Sequence, residues 1–236
     1  MAFYDIIGNI AIIKGEGKTR KEILKTAREL LKRPSIKTIV GKVDHFKGRL
    51  RTISTKYLMG ERNLVAEYKE NNCVFKLDVE KAYFSSRLSG ERKEVAKMVK
   101  KNDNVLVMFA GVGPYSIVIA RSSKPRRVVS MELGRIPSKY AKENVRVNRV
   151  EGIVEVIQGD VKKQIPKLVK KKEKFDVIVM PRPNLKDSFL VDALKVSRKG
   201  TRIFYYGFAR QGKEIKDMVK DLKKEAKGKI KILKTK

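Results

Sequence analysis

The sequence predicts an α/β chain: a small α+β unit over residues 1–86, then a doubly wound, mostly parallel sheet over residues 87–236. Three observations carry this reading. Beyond Ser89-Gly90, short apolar runs alternate with segments of helical periodicity, the pattern of repeated strand–helix–strand units. One of these runs, 105–109, passes directly into Ala110-Gly111-Val112-Gly113-Pro114, a glycine turn between a strand and a helix. Ahead of residue 86, apolar runs are separated by turns with a single helical stripe among them, as in a unit of mostly antiparallel strands.

In chain order, residues 4–14 read as a strand that Gly15-Glu16-Gly17 closes. Residues 18–31 place Ile23, Leu24, Ala27, Leu30 and Leu31 on one helical stripe, which stops before Pro34. Strands are expected at 37–43, 49–53, 65–69 and 73–78. A helix over 91–100 opens the second unit, followed by the strand 105–109 and a helix through Ala120. Further strands are expected at 127–133, 153–158, 175–180 and 201–206, with helices over 138–148, 188–196 and 212–227.

Charge points to the partner. The 236 residues hold 57 Lys and Arg against 26 acidic residues, a formal charge of +31. Such an excess repels itself in a compact fold, and a polyanion relieves it; nucleic acid fits better than an anionic membrane surface. Lysine rises here without matching glutamate, so a charge-rich thermophile surface does not account for the balance. Hydrophobic residues reach 42%, enough for a packed core. The one cysteine, Cys73, sits in an apolar-alternating run and excludes an internal disulfide and a cysteine-built zinc site. His45, the one histidine, has no partner to make a metal site. The apolar start is broken by Asp5, Gly8 and Asn9 and lacks a basic n-region, and no run approaches the ~20 apolar residues of a membrane span. The expectation is a soluble, cytoplasmic protein without a metal.

The cofactor signal is a constellation. Gly111 and Gly113 let backbone amides approach a ligand where a side chain would collide. The next strand ends in Glu132, at the spacing where an acid accepts hydrogen bonds from ribose hydroxyls. The third strand ends in Gly159-Asp160-Val161, where an acid can meet the exocyclic amine of adenine. Together they describe adenosine held across strand ends. Ser116 stands where a dinucleotide fingerprint has its third glycine, which disfavours NAD. Each acid taken singly also reads as an exposed strand-end carboxylate.

The segments that carry this signal resemble a known family. Met108-Phe109-Ala110-Gly111-Val112-Gly113-Pro114-Tyr115-Ser116-Ile117 is similar to the cofactor loop of the archaeal and eukaryotic tRNA guanine-37 N1-methyltransferases. Tyr83-Phe84-Ser85-Ser86-Arg87-Leu88-Ser89-Gly90-Glu91-Arg92 resembles that family's YFSPRLxxER signature. Tyr4-Asp5-Ile6-Ile7-Gly8-Asn9-Ile10 resembles the opening of its second domain, and Leu58-Met59-Gly60-Glu61 its LxGE turn. Met180-Pro181-Arg182-Pro183-Asn184 looks like the archaeal branch tied to wyosine biosynthesis, some members of which also methylate a wyosine precursor. The resemblance spans nearly the whole chain. It implies a Rossmann-like class I methyltransferase domain over 87–236, preceded by a small α+β RNA-substrate domain over 1–86. It implies S-adenosyl-L-methionine as cofactor and the anticodon stem-loop of tRNA as partner; a monomer is expected, although nothing in the sequence fixes the oligomeric state.

By resemblance, Glu91 is the general base and Arg51 the cation that stabilises the base oxygen. Cofactor contacts fall on Tyr83, Arg87, Phe109, Ala110, Gly111, Gly113, Pro114, Glu132, Leu133, Asp160, Val161 and Pro181; target-base contacts fall on Tyr115, Pro183 and Asn184. From the residues alone, Glu91 reads equally as a first-turn acid favoured by the helix dipole, and Arg51, among Lys47, Arg49 and Lys56, as a phosphate contact. Tyr83, Phe84 and Tyr115 are candidates to stack on a flipped base, with Phe84 the better core residue. The lysine runs at 97–101, 162–163, 170–172 and 220–236 are candidates to track phosphates. The chain departs from the family in three places: Val107 replaces an aspartate before the loop, Gly134 replaces an asparagine or similar residue after Glu132, and Pro181 replaces the asparagine of the target-base motif. The family's accessory first domain and closing strand hairpin are not recognisable. Two other activities fit the same residues: transfer of the cofactor's aminocarboxypropyl group, and RNA binding without catalysis.

Overall fold

The structure, a computed structural model, describes residues 3–43, 48, 50–181, 187–209 and 212–235. Strands β1 (Tyr4–Ile7), β2 (Ile10–Lys14), β3 (Thr38–Lys42) and β4 (Thr55–Gly60) form one sheet in the order β1-β2-β3-β4. Helix α1 (Arg20–Leu31) joins β2 to its parallel neighbour β3, and the other two pairings are antiparallel. The Thr19–Glu22 capping box starts α1, each side chain reaching the other's backbone amide. Two expectations change here. Residues 4–14 are a hairpin, because Gly8 takes φ +56° in a two-residue turn. Of the strand expected at 49–53, the described residues 50–53 form none: Arg51 adopts φ +54° and its amide donates to Gly48 O at 3.2 Å, a turn that leads into β4.

Strands β5 (Val65–Glu70) and β6 (Cys73–Asp78) make a separate hairpin, turned by Asn71 and Asn72, both left-handed. A 3-10 turn over Ser86–Leu88 leads into α2 (Ser89–Met98). Then follow β7 (Asn104–Met108), α3 (Pro114–Ser123), β8 (Arg127–Glu132), α4 (Arg135–Val147), β9 (Val154–Gln158), α5 (Val161–Lys170), β10 (Phe175–Met180), α6 (Leu190–Lys195), β11 (Ser197–Tyr205) and α7 (Gly212–Glu225). The five strands β7 to β11 lie wholly parallel in the order β11-β10-β7-β8-β9. Both faces are buried. Val105, Val107, Val128, Val177 and Val179 join one apolar cluster, while Leu106, Met108, Val129, Met131, Ile178 and Met180 join another with α5 and α6. That alternation is the doubly wound architecture the periodicity predicts. Val107, fully buried among these valines, explains one departure, since an aspartate there would need a buried partner. Helix α5 has no counterpart in the sequence reading; Asp160 caps it by accepting from the Lys162 amide at 2.9 Å, and its stripe is Val161, Ile165 and Leu168.

The β5–β6 hairpin is fastened to α4 by two asparagines. Asn144 accepts from the Lys76 amide at 2.7 Å and donates to Lys76 O at 3.1 Å and to Val112 O at 3.1 Å. Asn148, one turn on, accepts from the Val74 amide at 2.9 Å and donates to Val74 O at 2.7 Å. A helical turn of ~5.4 Å nearly matches the ~6.8 Å two-residue repeat of a strand, so the two amides act as a substitute neighbouring strand for the free edge of β6. Asn144→Ala would orphan buried backbone groups of Lys76 and Val112. Each costs roughly 1–3 kcal/mol, so chemical denaturation should show a midpoint well below the parent's; an unchanged midpoint would remove this role. Burial pushes the Cys73 thiol up to about 11, as suits a core residue.

Candidate active site

Strand order reverses between β7 and β10, and beyond the carboxyl ends at such a switch point is where an open α/β sheet binds its ligand. The glycine turn lies there. Phe109 leaves β7 at φ +58°, Gly111 follows at φ +58°, and Gly113 at φ +87° caps α3, with Pro114 as its first residue. The two glycines serve different ends. A Cβ on Gly113 would come within 3.3 Å of Ile117 and 3.6 Å of Ala141, so this position lets α3 and α4 pack. A Cβ on Gly111 would meet only Tyr83 O at 3.8 Å, so the space above it is open to a ligand.

Glu132 ends β8 directly across from that opening. Its Oε2 accepts from the Gly111 amide at 2.8 Å and its Oε1 from the Gly134 amide at 2.7 Å. Burial raises its pKa above the usual carboxylate value, against the pull of the Gly134, Gly111 and Leu133 amides. Backbone bonds also tie the three strand ends together: Ala110 N to Met131 O at 2.9 Å and Gly159 N to Glu132 O at 2.8 Å. Asp160 stands next in line, capping α5, while the Val161 side chain turns into the core. Gly134 is tightly enclosed, since a Cβ would sit 2.9 Å from Pro137 and 3.1 Å from Leu50. The smaller residue at this departure thus admits Leu50, next to Arg51.

The candidate catalytic residues connect to the glycine turn through aromatic residues. Arg51 stacks its guanidinium 3.9 Å from the centre of the Tyr83 ring and 5.8 Å from that of Phe208. Glu91 lies in the first turn of α2 and accepts from the Tyr206 hydroxyl at 3.0 Å. Tyr206 packs on Tyr115 with ring centres 5.7 Å apart, and Tyr115 belongs to the first turn of α3, so the glycine turn and Glu91 are joined through these rings. Burial, then the Tyr115 and Glu91 oxygens, push the Tyr206 hydroxyl far above its ordinary value, and burial pushes Tyr115 up to about 12. Next to Glu91, the fully buried Arg92 makes a bidentate pair with Glu70 of β5, both bonds 2.5 Å, and donates to Ser85 O at 3.0 Å.

The other residues read from the sequence have varied surroundings. Arg87 is exposed and donates to Asp5 of β1 at 2.7 Å. Tyr115 is buried at 3% exposure between Arg92 and Tyr206, so its ring offers no open stacking face. Phe84 is core, against Tyr68 and Phe75. Phe109 packs edge-on against Phe189, with ring centres 4.9 Å apart. Pro181 is half-buried just beyond β10, whereas Pro183, Asn184 and His45 fall outside the described residues. Lys162 and Lys163 follow β9 at the cleft edge, with Lys162 paired to Asp187 at 2.5 Å. Lys97, Lys100, Lys101 and residues 170–172 precede β7 and β10, and so lie at the opposite, amino edge of the sheet. No motif in the sequence marks Tyr206 or Phe208 as site residues. Their signal was position, immediately past the last parallel strand on the ligand-binding edge.

A family model, the TRM5/TYW2 methyltransferase domain, matches residues 66–233, from the β5–β6 hairpin onward. The chain belongs to this TRM5/TYW2 family. A curated relative from Nanoarchaeum equitans, tRNA (guanine(37)-N(1))/4-demethylwyosine(37)-methyltransferase Taw22, is 36% identical over 93% of this chain and 88% of its own length. The crystal structure of Trm5b from Pyrococcus abyssi superposes with a TM-score of 0.81 at 32% identity, covering 95% of this chain and 65% of that one. A Methanocaldococcus jannaschii relative named tRNA(Phe) (4-demethylwyosine(37)-C(7)) aminocarboxypropyltransferase is 34% identical over 65% of this chain and 59% of its own length. This chain therefore spans most of the first relative but under two thirds of the other two. The cofactor of the TRM5/TYW2 family is S-adenosyl-L-methionine. The residues here fit it: Gly111 is open where an adenosine would lie, and a carboxylate clasped by backbone amides stands beside it.

Proposed function

We propose that this chain is a cytoplasmic, monomeric tRNA methyltransferase that uses S-adenosyl-L-methionine to methylate N1 of guanosine-37 and, as a second substrate, a wyosine intermediate. The observation that carries the proposal is the Gly111–Glu132 clasp at the strand ends, linked to Glu91 through the Tyr115 and Tyr206 rings, in a chain 36% identical to a relative named for both substrates. When bound, the cofactor supplies an electrophilic methyl group on its sulfonium sulfur. The protein's part is then mainly positioning. Glu132 accepts from the ribose hydroxyls and Asp160 from the adenine amine, while Gly111, lacking a side chain, leaves space for the adenosine. Phe109, Ala110, Pro114, Leu133 and Pro181 frame the cofactor, and Tyr83 borders it through its backbone.

Guanine N1 carries a proton at neutral pH and is a poor nucleophile. Glu91 removes that proton, and the negative charge that grows on O6 is met by Arg51, whose stack between Tyr83 and Phe208 fixes the guanidinium plane. The target base leaves its stack to reach this opening. A net charge of +31 supports a polyanionic substrate.

The raised Glu132 pKa gives a prediction with a sign. Only the ionised carboxylate accepts two ribose hydroxyls, so cofactor affinity is full above its pKa and falls as pH drops through it, starting above the ordinary value of 4.5. The linkage to folding runs the other way, because the folded state holds this proton more tightly than the unfolded chain. The group's contribution to stability is full below the unfolded pKa and is lost as pH rises through the folded one. Glu132→Gln should weaken cofactor binding roughly 10- to 100-fold, the equivalent of a charge-assisted hydrogen bond, and flatten the acid loss of affinity in calorimetric titrations. Undiminished binding would take Glu132 out of the cofactor site.

A second reading, aminocarboxypropyl transfer, is favoured by the Methanocaldococcus relative. The by-product of tRNA incubated with cofactor separates the two. S-adenosylhomocysteine marks methyl transfer, and methylthioadenosine marks the alternative.

A further inference from the structure

The segment leaving β11 touches both candidate catalytic residues, although no motif in the sequence assigns it a role. Its backbone is anchored by the Tyr206 amide on Met180 O at 3.3 Å, beside Pro181. Gly207 follows, where a Cβ would lie 2.2 Å from the Met218 sulfur, so α7 presses the segment down onto the cleft. Phe208 then reaches Arg51. Between these anchors the Tyr206 ring is held against Tyr115, and its hydroxyl meets Glu91 Oε1 at 3.0 Å. The Tyr115 hydroxyl is buried and, among the described residues, makes no well-formed hydrogen bond of its own, although it interacts with the Tyr206 oxygen. The Glu91 side chain has several rotatable bonds, so a hydrogen bond to its carboxylate narrows the rotamers it adopts.

We propose that Tyr206 is a positioning residue: its hydroxyl, donated to Glu91 Oε1, holds the carboxylate in the one orientation from which it takes the N1 proton of the target base. This rests on Glu91 acting as that base. The donor matters in the charged state, since a hydroxyl bonds an ionised carboxylate more strongly than a neutral acceptor. Among the described residues, the charged and titratable groups around Glu91 include Tyr206 from the β11 exit, Tyr115 from α3, and the Arg92–Glu70 pair from α2 and β5.

The test is Tyr206→Phe, which keeps the ring and its packing, alongside Tyr206→Met, which fills the space without a ring. Single-turnover methyl transfer to tRNA, steady-state KM for tRNA, calorimetric binding of S-adenosyl-L-methionine and thermal unfolding are measured on each. The expected result is a rate at least tenfold lower, within the ~10²-fold that misplacing a reacting group by about 1 Å costs, with KM, cofactor affinity and unfolding midpoint unchanged. A folded variant that transfers at the parent rate overturns the proposal, and so does a loss of rate that merely tracks weaker binding or lower stability. Glu91→Gln, measured in the same series, separates the two ideas. If that variant turns over normally, the base assignment fails. If it is inactive while Tyr206→Phe is unimpaired, only the positioning role fails.

Discussion

Replacing Arg92 with methionine is expected to destabilise the protein by about 3–5 kcal/mol, because it strands the Glu70 carboxylate in the core. Both side chains of that pair are 2% exposed, and the guanidinium also satisfies Ser85 O and lies over the Phe84 ring at 5.1 Å. The loss would surface in urea denaturation as a lower midpoint with little change in slope. Glu70 comes from the β5–β6 hairpin and Arg92 from α2, so the pair fixes the helix that carries Glu91 against the hairpin that α4 holds. The double substitution of Arg92 and Glu70 by methionine should recover much of the loss, since a packed apolar pair dispenses with both desolvation penalties. A single variant as stable as the parent would show that this pair does not lock α2.

Glu91→Gln is expected to lower methyl transfer by at least ~10²-fold while cofactor binding holds, since a neutral amide cannot take the N1 proton. Glutamine keeps the length of the side chain and can still accept from Tyr206, so the loss would isolate basicity from geometry. If the rate is limited elsewhere, single-turnover measurements expose the chemical step. Unchanged turnover would leave Glu91 as no more than a first-turn acid complementing the dipole of α2.

Much of this architecture was legible in the sequence. The parallel strands are short and apolar on both faces, so runs such as Val105-Leu106-Val107-Met108 announce themselves, and the glycine turn marks the ligand edge. Elements that depend on local backbone conformation or distant partners were harder to read. The hairpin at Gly8 hid inside one apolar run, because its two strands share the same composition. Helix α5 was masked by Pro166 and by the lysines that outnumber its three buried residues. The apolar pattern around Arg51 predicts a strand, yet its left-handed turn is what brings the guanidinium onto Tyr83. Asn144 and Asn148 look like ordinary polar helix residues until an unpaired strand edge is seen facing them. The lysine runs read as one basic theme, whereas chain direction separates those at the cleft edge from those at the amino ends of the strands. Tyr206 had no motif around it at all, and its meaning lies wholly in where β11 ends.

The most direct test of the account is nucleoside mass spectrometry on two tRNA transcripts that differ only at position 37, guanosine in one and adenosine in the other, each incubated with the protein and isotope-labelled S-adenosyl-L-methionine. The account predicts one labelled methyl on N1 of guanosine-37 in the first transcript, an equal amount of S-adenosylhomocysteine, and no label in the second. Label at any other nucleotide, an aminocarboxypropyl group in place of a methyl, or no transfer despite bound cofactor would contradict it.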